Sequence, residues 1–271
     1  MKKIFVIGTG VVLLGVIAMI VLAVLNLGSI VKTATEEFGP RITKTAVKLD
    51  SADISVLSGS GSLNGFLLGN PEGFSMPSAL ECDTIRVKVN TDSLTTDRII
   101  IEEIFVNGPI VSYEKRGKTD NFKTILANIQ KTVAGEKKAT PAEGQADQTG
   151  AQKTIQINNF IVKNGKINLA GSLLDAFGDG GVGIGLPDIH LKDIGKEKKT
   201  SPAEAFALIL GEMTGGVTGT VTEVGKQLMQ GATDAVKGVT DAASGAVSGA
   251  AKGAAEGAES IGGAVKGLFG D

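Results

Sequence analysis

An uninterrupted apolar run near the N-terminus, residues 4–31, constrains this chain more than any other stretch. It contains no charged residue and is longer than the roughly 20 residues that a helix needs to cross the hydrocarbon core of a bilayer. Lys2 and Lys3 precede the run and Lys32 follows it. A cationic N-terminal flank favours a cytoplasmic N-terminus. The sequence therefore predicts a single-pass transmembrane anchor over residues 1–32, with the bulk of the chain on the other side of the membrane.

A cleaved signal peptide is the alternative interpretation of this run. Signal peptides usually have an apolar core of about 7–15 residues followed by a small-x-small cleavage site. The run is longer than this, and no clear site of that kind precedes Lys32. The single cysteine, Cys82, lies far downstream, so no cysteine stands next to the run for lipid attachment. We therefore favour a retained anchor.

The composition argues against several classes of function. A net charge of -2 argues against nucleic acid as a main partner. One cysteine excludes an intrachain disulfide framework, and one histidine, His190, makes a histidine-based metal site or a Ser-His-Asp triad hard to build. The glycine-rich segments do not have the spacing of a phosphate-binding loop. We predict a protein that is not an enzyme, with no catalytic residues, cofactor, nucleotide or metal.

The sequence pattern of residues 33–195 predicts a β-sheet domain. Residues 42–49 are a plausible first strand, because Pro40 is expected to stop any helix that precedes them. Apolar and polar residues alternate over residues 84–90, which is typical of a strand with one covered face. In residues 98–106 the alternation shifts phase at Glu102 and Glu103, as a β-bulge would produce.

Part of this pattern recurs about 56 residues later. Residues 155–169 match residues 99–111, and Asn158 and Asn159 stand where Glu102 and Glu103 stood. The match is extended past the following turn by treating Lys163 as a one-residue insertion. Internal repeats of this kind predict a sheet that grows by the addition of similar hairpins.

Helical patterns accompany the strands. Asp120 can cap a short helix, and residues 135–153 have the polar composition of a flexible loop inside the β-domain. In residues 196–214 a capping box beginning at Ser201 predicts an amphipathic helix. The apolar stripes of the two helices are Phe122, Ile125, Leu126, Ile129 and Val133, and Phe206, Ile209, Leu210 and Met213.

The C-terminal segment, residues 215–271, is rich in glycine and alanine. Its apolar positions are spaced 4-3-4, and this eleven-residue cycle keeps a stripe nearly straight along a helix. Each interior glycine costs a helix about 1 kcal/mol relative to alanine. Three interpretations stay open: a disordered or weakly helical tail, an amphipathic helix lying on a membrane, and a self-associating helix.

Three segments downstream of the apolar run carry a family resemblance. They are SGSGSLNGFLLGNPEGF (residues 58–74), LTTDRIIIEEIFVNGPIVSYE (residues 94–114) and IQINNFIVKNGKINL (residues 155–169). Together with the anchor, they resemble the AsmA-like proteins of Gram-negative envelopes over about residues 1–195. The resemblance implies an inner-membrane anchor and a periplasmic, curved sheet. It also implies a link to phospholipid movement and outer-membrane homeostasis, through a trough lined by apolar side chains.

The apolar side of the sheet is the candidate functional site. Eleven side chains are expected to share it and to face lipid acyl chains: Ile85, Val87, Val89, Ile99, Ile101, Ile104, Val106, Ile155, Ile157, Phe160 and Val162. The alternative is that the two predicted helices cover this side as an ordinary core. Cys82 is predicted to be a buried, inert thiol, and His190 with Asp188 and Asp193 is a weak metal-site candidate.

These observations combine into one hypothesis and one alternative. The predicted fold is a β-rich α+β class with an N-terminal transmembrane helix, a curved and mostly antiparallel sheet with repeated hairpins, one or two covering helices and a Gly/Ala-rich tail. The predicted function is lipid binding or shielding at the inner membrane, with membrane lipids and other envelope proteins as partners. The alternative is a non-enzymatic envelope scaffold that acts through sheet-edge pairing and tail self-association.

Overall fold

The computed structural model describes residues 26–138, 153–170 and 184–243. Most of the predicted anchor, most of the predicted loop at residues 135–153 and the tail beyond Ala243 therefore lie outside the described residues. Within the three described ranges, no helix is both long enough and apolar enough to cross a bilayer.

The described residues form eleven β-strands, three α-helices and one short 3-10 helix. The helices are α1 (Leu27–Thr43), α2 (Asn121–Lys138) and α3 (Pro202–Ala243), and the 3-10 helix is Thr91–Thr95. The strands are β1 (Val47–Lys48), β2 (Ser51–Ser55), β3 (Ser60–Gly69), β4 (Ser78–Val89), β5 (Arg98–Asn107), β6 (Ile110–Arg116), β7 (Thr119–Asp120), β8 (Thr154–Lys163), β9 (Lys166–Ala170), β10 (Ile184–Gly185) and β11 (Ile189–Ile194).

The strands build a curled mixed sheet, which confirms the predicted β-rich character. On one side β4 pairs with β3, which in turn pairs with β1 and β2. On its other side β4 pairs with β6 near its start and with β5 near its end. Since β5 and β6 lie end to end and run in the same direction, they form one long strand interrupted at residues 108–109. Strands β8 and β9 form a second such strand, and β11 and β10 return antiparallel beside it.

Most strand pairs in the described ranges are antiparallel, as predicted, but the prediction of repeated hairpins is wrong for the two repeats. Strand β5 lies parallel to β8, and β6 lies parallel to β9. Parallel neighbours need a crossover of a dozen or more residues, and α2 together with residues 139–153 supplies it. The sequence at residues 107–109, which is typical of a hairpin turn, instead interrupts a strand that continues in the same direction.

The register confirms the predicted repeat of about 56 residues. Arg98 lies opposite Thr154, and the same offset persists beyond the interruption, where Val111 lies opposite Ile167. Because the offset is constant, Lys163 is not an insertion. Its place is opposite Asn107, the last residue of β5.

The predicted β-bulge lies where the sequence phase shifts. On β4, Lys88 pairs with Glu103 but the next residue, Val89, pairs with Ile101, so Glu102 is the additional residue. At the same row of the second repeat, Asn159 Nδ2 donates to the backbone oxygen of Glu102 at 3.3 Å. The parallel register between β5 and β8 is the same on both sides of this row.

The predicted strand at residues 42–49 is largely wrong, because α1 continues through Pro40 and ends at Thr43. A proline in the last turn removes only one helical hydrogen bond, and the N–H of Lys44, in the left-handed conformation, closes the helix on Pro40 O at 3.0 Å. The helix packs closely on β1 and β2. A Cβ added at Gly28 would collide with the backbone of Ala52.

Both predicted helix caps are present. Asp120 Oδ1 accepts from the N–H of Lys123 at 2.8 Å at the start of α2. At the start of α3, Ser201 N–H donates to Glu204 Oε2 at 2.9 Å and Glu204 N–H donates to Ser201 Oγ at 3.2 Å, which is a reciprocal capping box. All nine predicted stripe residues are buried or half-buried.

Helix α3 does not end at the predicted boundary after Thr214 but continues to Ala243. Its apolar stripe stays buried beyond this boundary, since Val217 and Val221 are 0% and 1% exposed. Most of the stability of a protein helix comes from the packing of such a face rather than from intrinsic propensity. Packing here offsets the unfavourable glycines at positions 215, 216 and 219.

Candidate functional site

Cross-strand pairing places all eleven predicted lipid-facing residues on one face of the sheet. Residues directly opposite each other on neighbouring strands share a face. The rows are Ile85, Val106 and Val162; Val87, Ile104 and Phe160; Val89, Ile101 and Ile157; and Ile99 with Ile155. Strand β11 extends three of these rows with Ile189, Leu191 and Ile194. The sequence analysis missed these three, although the alternation in IHLKDI carries the same signal.

The apolar face is covered by other parts of the protein to different extents on β8 and on β4 and β5. On β8, Ile157, Phe160 and Val162 are buried, with α3 packed on β8 and β11. On β4 and β5, by contrast, six of the predicted side chains are only half-buried: Ile85, Val87, Val89, Ile99, Ile101 and Ile104. The face is therefore an ordinary core on the α3 side and partly accessible on the β4–β5 side. Contact with lipid stays a prediction.

An apolar cleft lies between α1, the β1–β3 strands and the start of α3. Its volume is about 610 Å³, which is in the range of about 300–1,000 Å³ that small-molecule sites occupy. Four large side chains on three different elements dominate its lining: Phe38, Ile42, Phe66 and Phe206. Three of the four also pack against the main hydrophobic core. Phe38 is 54% exposed, whereas Leu68 in the lining is fully buried.

This cleft was not predicted from the sequence. One of its walls is α1, and Pro40 was expected to stop any helix that precedes it. A signal existed, because the apolar positions Val31, Phe38 and Ile42 have helical spacing. The β-branched residues around them obscured it.

A second group of side chains, beside the loop between β3 and β4, is polar and buried. Glu114 on β6 is 1% exposed, and its Oε2 accepts from Ser75 N–H at 2.7 Å, Ser75 Oγ at 2.9 Å and Met76 N–H at 3.2 Å. Arg116 Nε donates to Oε1 at 3.2 Å. Burial on its own would raise the pKa of Glu114, but these donors outweigh it and hold the pKa below its usual range. An ionised carboxylate with this many donors fastens the loop between β3 and β4 and is poorly suited to proton transfer.

Asn121 joins the same loop to the first turn of α2. It is fully buried, and its Nδ2 donates to Asn70 Oδ1 and to Ser112 O, both at 2.7 Å. Its Oδ1 accepts from Glu114 N–H at 3.2 Å. The complete use of its hydrogen-bonding groups identifies Asn121 as a structural link rather than a ligand-binding residue.

Cys82 is buried, 4% exposed, in the core. Burial, with smaller contributions from Asp83 and Glu81, raises the pKa of its thiol to about 12. Since the thiolate is the reactive form, alkylation of the native protein by iodoacetamide at pH 8 should be on the order of a thousandfold slower than that of a free cysteine. Mass spectrometry of timed reactions measures the rate, with guanidinium-unfolded protein as the reference. A native rate within tenfold of the unfolded rate would contradict this assignment.

His190 lies on the other face of the sheet and is exposed. Its Nε2 is 2.9 Å from Asn159 Oδ1, while Asp193 pairs with Lys196 at 3.1 Å. Within the described ranges, no group of three or more His, Cys, Asp or Glu side chains is arranged to hold a metal ion. The weak metal-site candidate at residues 188–193 therefore gains no support from the geometry.

Comparison of the chain with protein-family models, curated proteins and solved structures yields no match.

Proposed function

We propose that this protein binds or shields phospholipid acyl chains on the apolar side of its curled sheet. In this proposal it is an AsmA-like protein of the Gram-negative inner membrane, single-pass, with its folded part in the periplasm, and it contributes to envelope lipid homeostasis. The observation that carries the proposal is the 610 Å³ cleft lined by Phe38, Ile42, Phe66 and Phe206.

The chemistry of the cleft favours an acyl chain over a polar ligand. Its lining is dominated by aromatic and aliphatic side chains, and the basic residue among them, Lys153, already donates to Leu94 O at 2.5 Å. Each buried methylene of a chain gains about 0.8 kcal/mol on leaving water, so affinity grows with the length of chain enclosed. Passive burial of this kind needs no nucleotide or catalytic group.

The position of the cleft in the chain also favours a membrane lipid. One wall is α1, which begins at Leu27, inside the apolar run of residues 4–31. If that run is the membrane anchor, a lipid has a short path from the bilayer to the cleft. Half-buried Ile85, Ile101 and Ile104 on β4 and β5 provide further apolar surface beside the same core cluster.

The scaffold alternative relies on pairing at a sheet edge, and the edge strand β11 is poorly suited to it. His190 and Lys192 are exposed there, and Asp193 has a φ of 55°, which interrupts the extended backbone. Exposed charges and local twists of this kind are the usual protection against edge-to-edge pairing. We therefore place acyl-chain binding ahead of the scaffold.

Changing Phe38 to aspartate should remove most of the lipid that co-purifies with the full-length protein. The side chain lies at the cleft and is half exposed, so the change places a charge beside the acyl chain with little effect on the core. An acyl chain that enters the cleft would remove water from this carboxylate, and the cost of that desolvation predicts at least a tenfold loss of bound lipid. Native mass spectrometry after detergent exchange measures bound lipid per chain.

The matched control is Leu208→Asp. Leu208 is 44% exposed and lies on α3, but it does not line the cleft. Its change should leave bound lipid unaltered. Equal lipid in wild type and both variants would contradict the proposal, as would purified wild type that carries no lipid but retains a co-purifying protein.

A further inference from the structure

One end of the sheet combines exposed leucines with basic side chains. We call it the entry end. It consists of the β2–β3 turn at residues 56–59, the 3-10 helix Thr91–Thr95 and the turn at residues 195–199 that follows β11.

Hydrogen bonds to backbone oxygens link these segments to the neighbouring strands. Val89 N–H donates to Gly59 O at 2.7 Å, which joins the β2–β3 turn to the residues preceding the 3-10 helix. Arg98 Nη1 donates to Lys196 O at 3.2 Å, which joins the start of β5 to the turn at residues 195–199. The entry end is therefore one continuous surface rather than a set of separate loops.

The apolar feature of this surface is Leu57. It stands at the tip of the β2–β3 turn and is 100% exposed, the highest exposure of any large apolar side chain in the described ranges. Leu94 in the 3-10 helix is also exposed, at 37%. Single exposed leucines are common on protein surfaces, so exposure alone does not assign a role.

The charged side chains of the entry end are mixed. The basic ones are Lys196, Lys198 and Lys199, and the acidic ones are Asp92 and Glu197. Lysines on a surface turn can reach lipid phosphates while their stems stay over apolar groups. The positive and negative charges of the entry end nearly balance. Any binding to a lipid surface must therefore come from insertion of an apolar side chain and not from net charge.

The direction of α1 indicates what this end faces. Gly28 lies against Ala52 on β2, and Gly39 lies against Val47 on β1. The N-terminal end of α1 therefore lies nearer to β2, and the C-terminal end nearer to β1. Since β2 leads into the turn that carries Leu57, the N-terminal end of α1 points toward that turn. The apolar run of residues 4–31 joins the folded part at this same end.

We infer that the entry end is a membrane-contact surface, in which Leu57 inserts at the boundary between the headgroups and acyl chains of a phospholipid bilayer. The lysines of the turn at residues 195–199 lie at the level of the headgroups. This inference rests on the anchor part of the proposed function but not on acyl-chain binding in the cleft. A lipid-free cleft and an inserted Leu57 are compatible, so the two can fail separately.

The test places an environment-sensitive fluorophore at position 57. Leu57→Cys is labelled with a nitrobenzoxadiazole probe in the full-length protein, because the buried Cys82 does not compete for the reagent. The protein is reconstituted into vesicles of phosphatidylcholine and phosphatidylglycerol. With nitroxide-labelled phospholipid present, about half or more of the emission should be quenched, and iodide should quench roughly threefold less than it does for an exposed label.

The control label is Glu72→Cys, in the exposed turn between β3 and β4 at the far end of the sheet. This position should be quenched by iodide and not by nitroxide lipid. Quenching of the label at position 57 by iodide to the same extent as at position 72 would overturn the inference, and so would an absence of quenching by nitroxide lipid.

Discussion

Changing Ile157 to alanine should lower the free energy of unfolding by about 3–4 kcal/mol, whereas Ile101→Ala should lower it by about 1–2 kcal/mol. The two isoleucines occupy equivalent positions of the repeat and lie directly opposite each other on β8 and β5. Ile157 is 2% exposed, but Ile101 is half-buried. Deleting the covered side chain therefore leaves a cavity, whereas deleting the accessible one mainly loses contact area.

Urea unfolding of the two full-length variants, followed by circular dichroism, measures this difference. The comparison is matched in residue type, strand position and face, so it isolates coverage by α3. Equal losses in the two variants would mean that β5 is covered as fully as β8. That result would remove the accessible apolar side on which lipid shielding depends.

Changing Glu114 to alanine should lower the free energy of unfolding by about 2–4 kcal/mol, because it leaves three donors on Ser75 and Met76 without their acceptor and removes the partner of Arg116. Glu103→Ala is the control. Glu103 is exposed on β5, and its change should alter stability by no more than about 0.5 kcal/mol. A loss below 1 kcal/mol for Glu114→Ala would show that water replaces the carboxylate.

The same residue predicts a pH dependence. Because its folded-state pKa lies below the ordinary value of about 4.3, the stabilisation by Glu114 is fully present above that value and is lost as pH falls through the folded-state pKa. The stability difference between wild type and Glu114→Gln should be constant from about pH 8 to pH 5 and should shrink below about pH 4. A difference that persists unchanged at about pH 3 would contradict the assignment.

Which side each strand residue faces was predictable because the side-chain period of two is a local property. The assignment of Ile85, Val87 and Val89 to one face needs no knowledge of their neighbours, and the bulge at Glu102 appears directly as a phase shift. The direction in which the repeats pair was not predictable in this way. The residues at 107–109 have the same composition whether they reverse a strand or interrupt it.

The path of the helices shows the limit of local propensity. Pro40 argued against a helix that continues to Thr43, and repeated glycines argued against α3 beyond Thr214. In both cases tertiary packing stabilises the longer helix. Gly28 of α1 approaches β2 closely, and Val217 and Val221 of α3 are buried. The cleft was missed for the same reason, since α1 forms its wall.

The burial of Glu114 could not have been inferred from its neighbours. Lys115 and Arg116 follow it, and such a cluster of charges is typical of an exposed turn. The donors that satisfy Glu114 come from Ser75 and Met76, about forty residues earlier, and only the three-dimensional arrangement brings them together.

The antiparallel return of β10 and β11 along the second repeat limits how the architecture can enlarge. A third copy of the 56-residue unit would need the free side of β8 and β9, but the returning chain already occupies that side. A further copy of the repeat would therefore have to be inserted between Ala170 and Ile184. Strands β10 and β11 would then pair with the new copy and remain at the edge of the sheet.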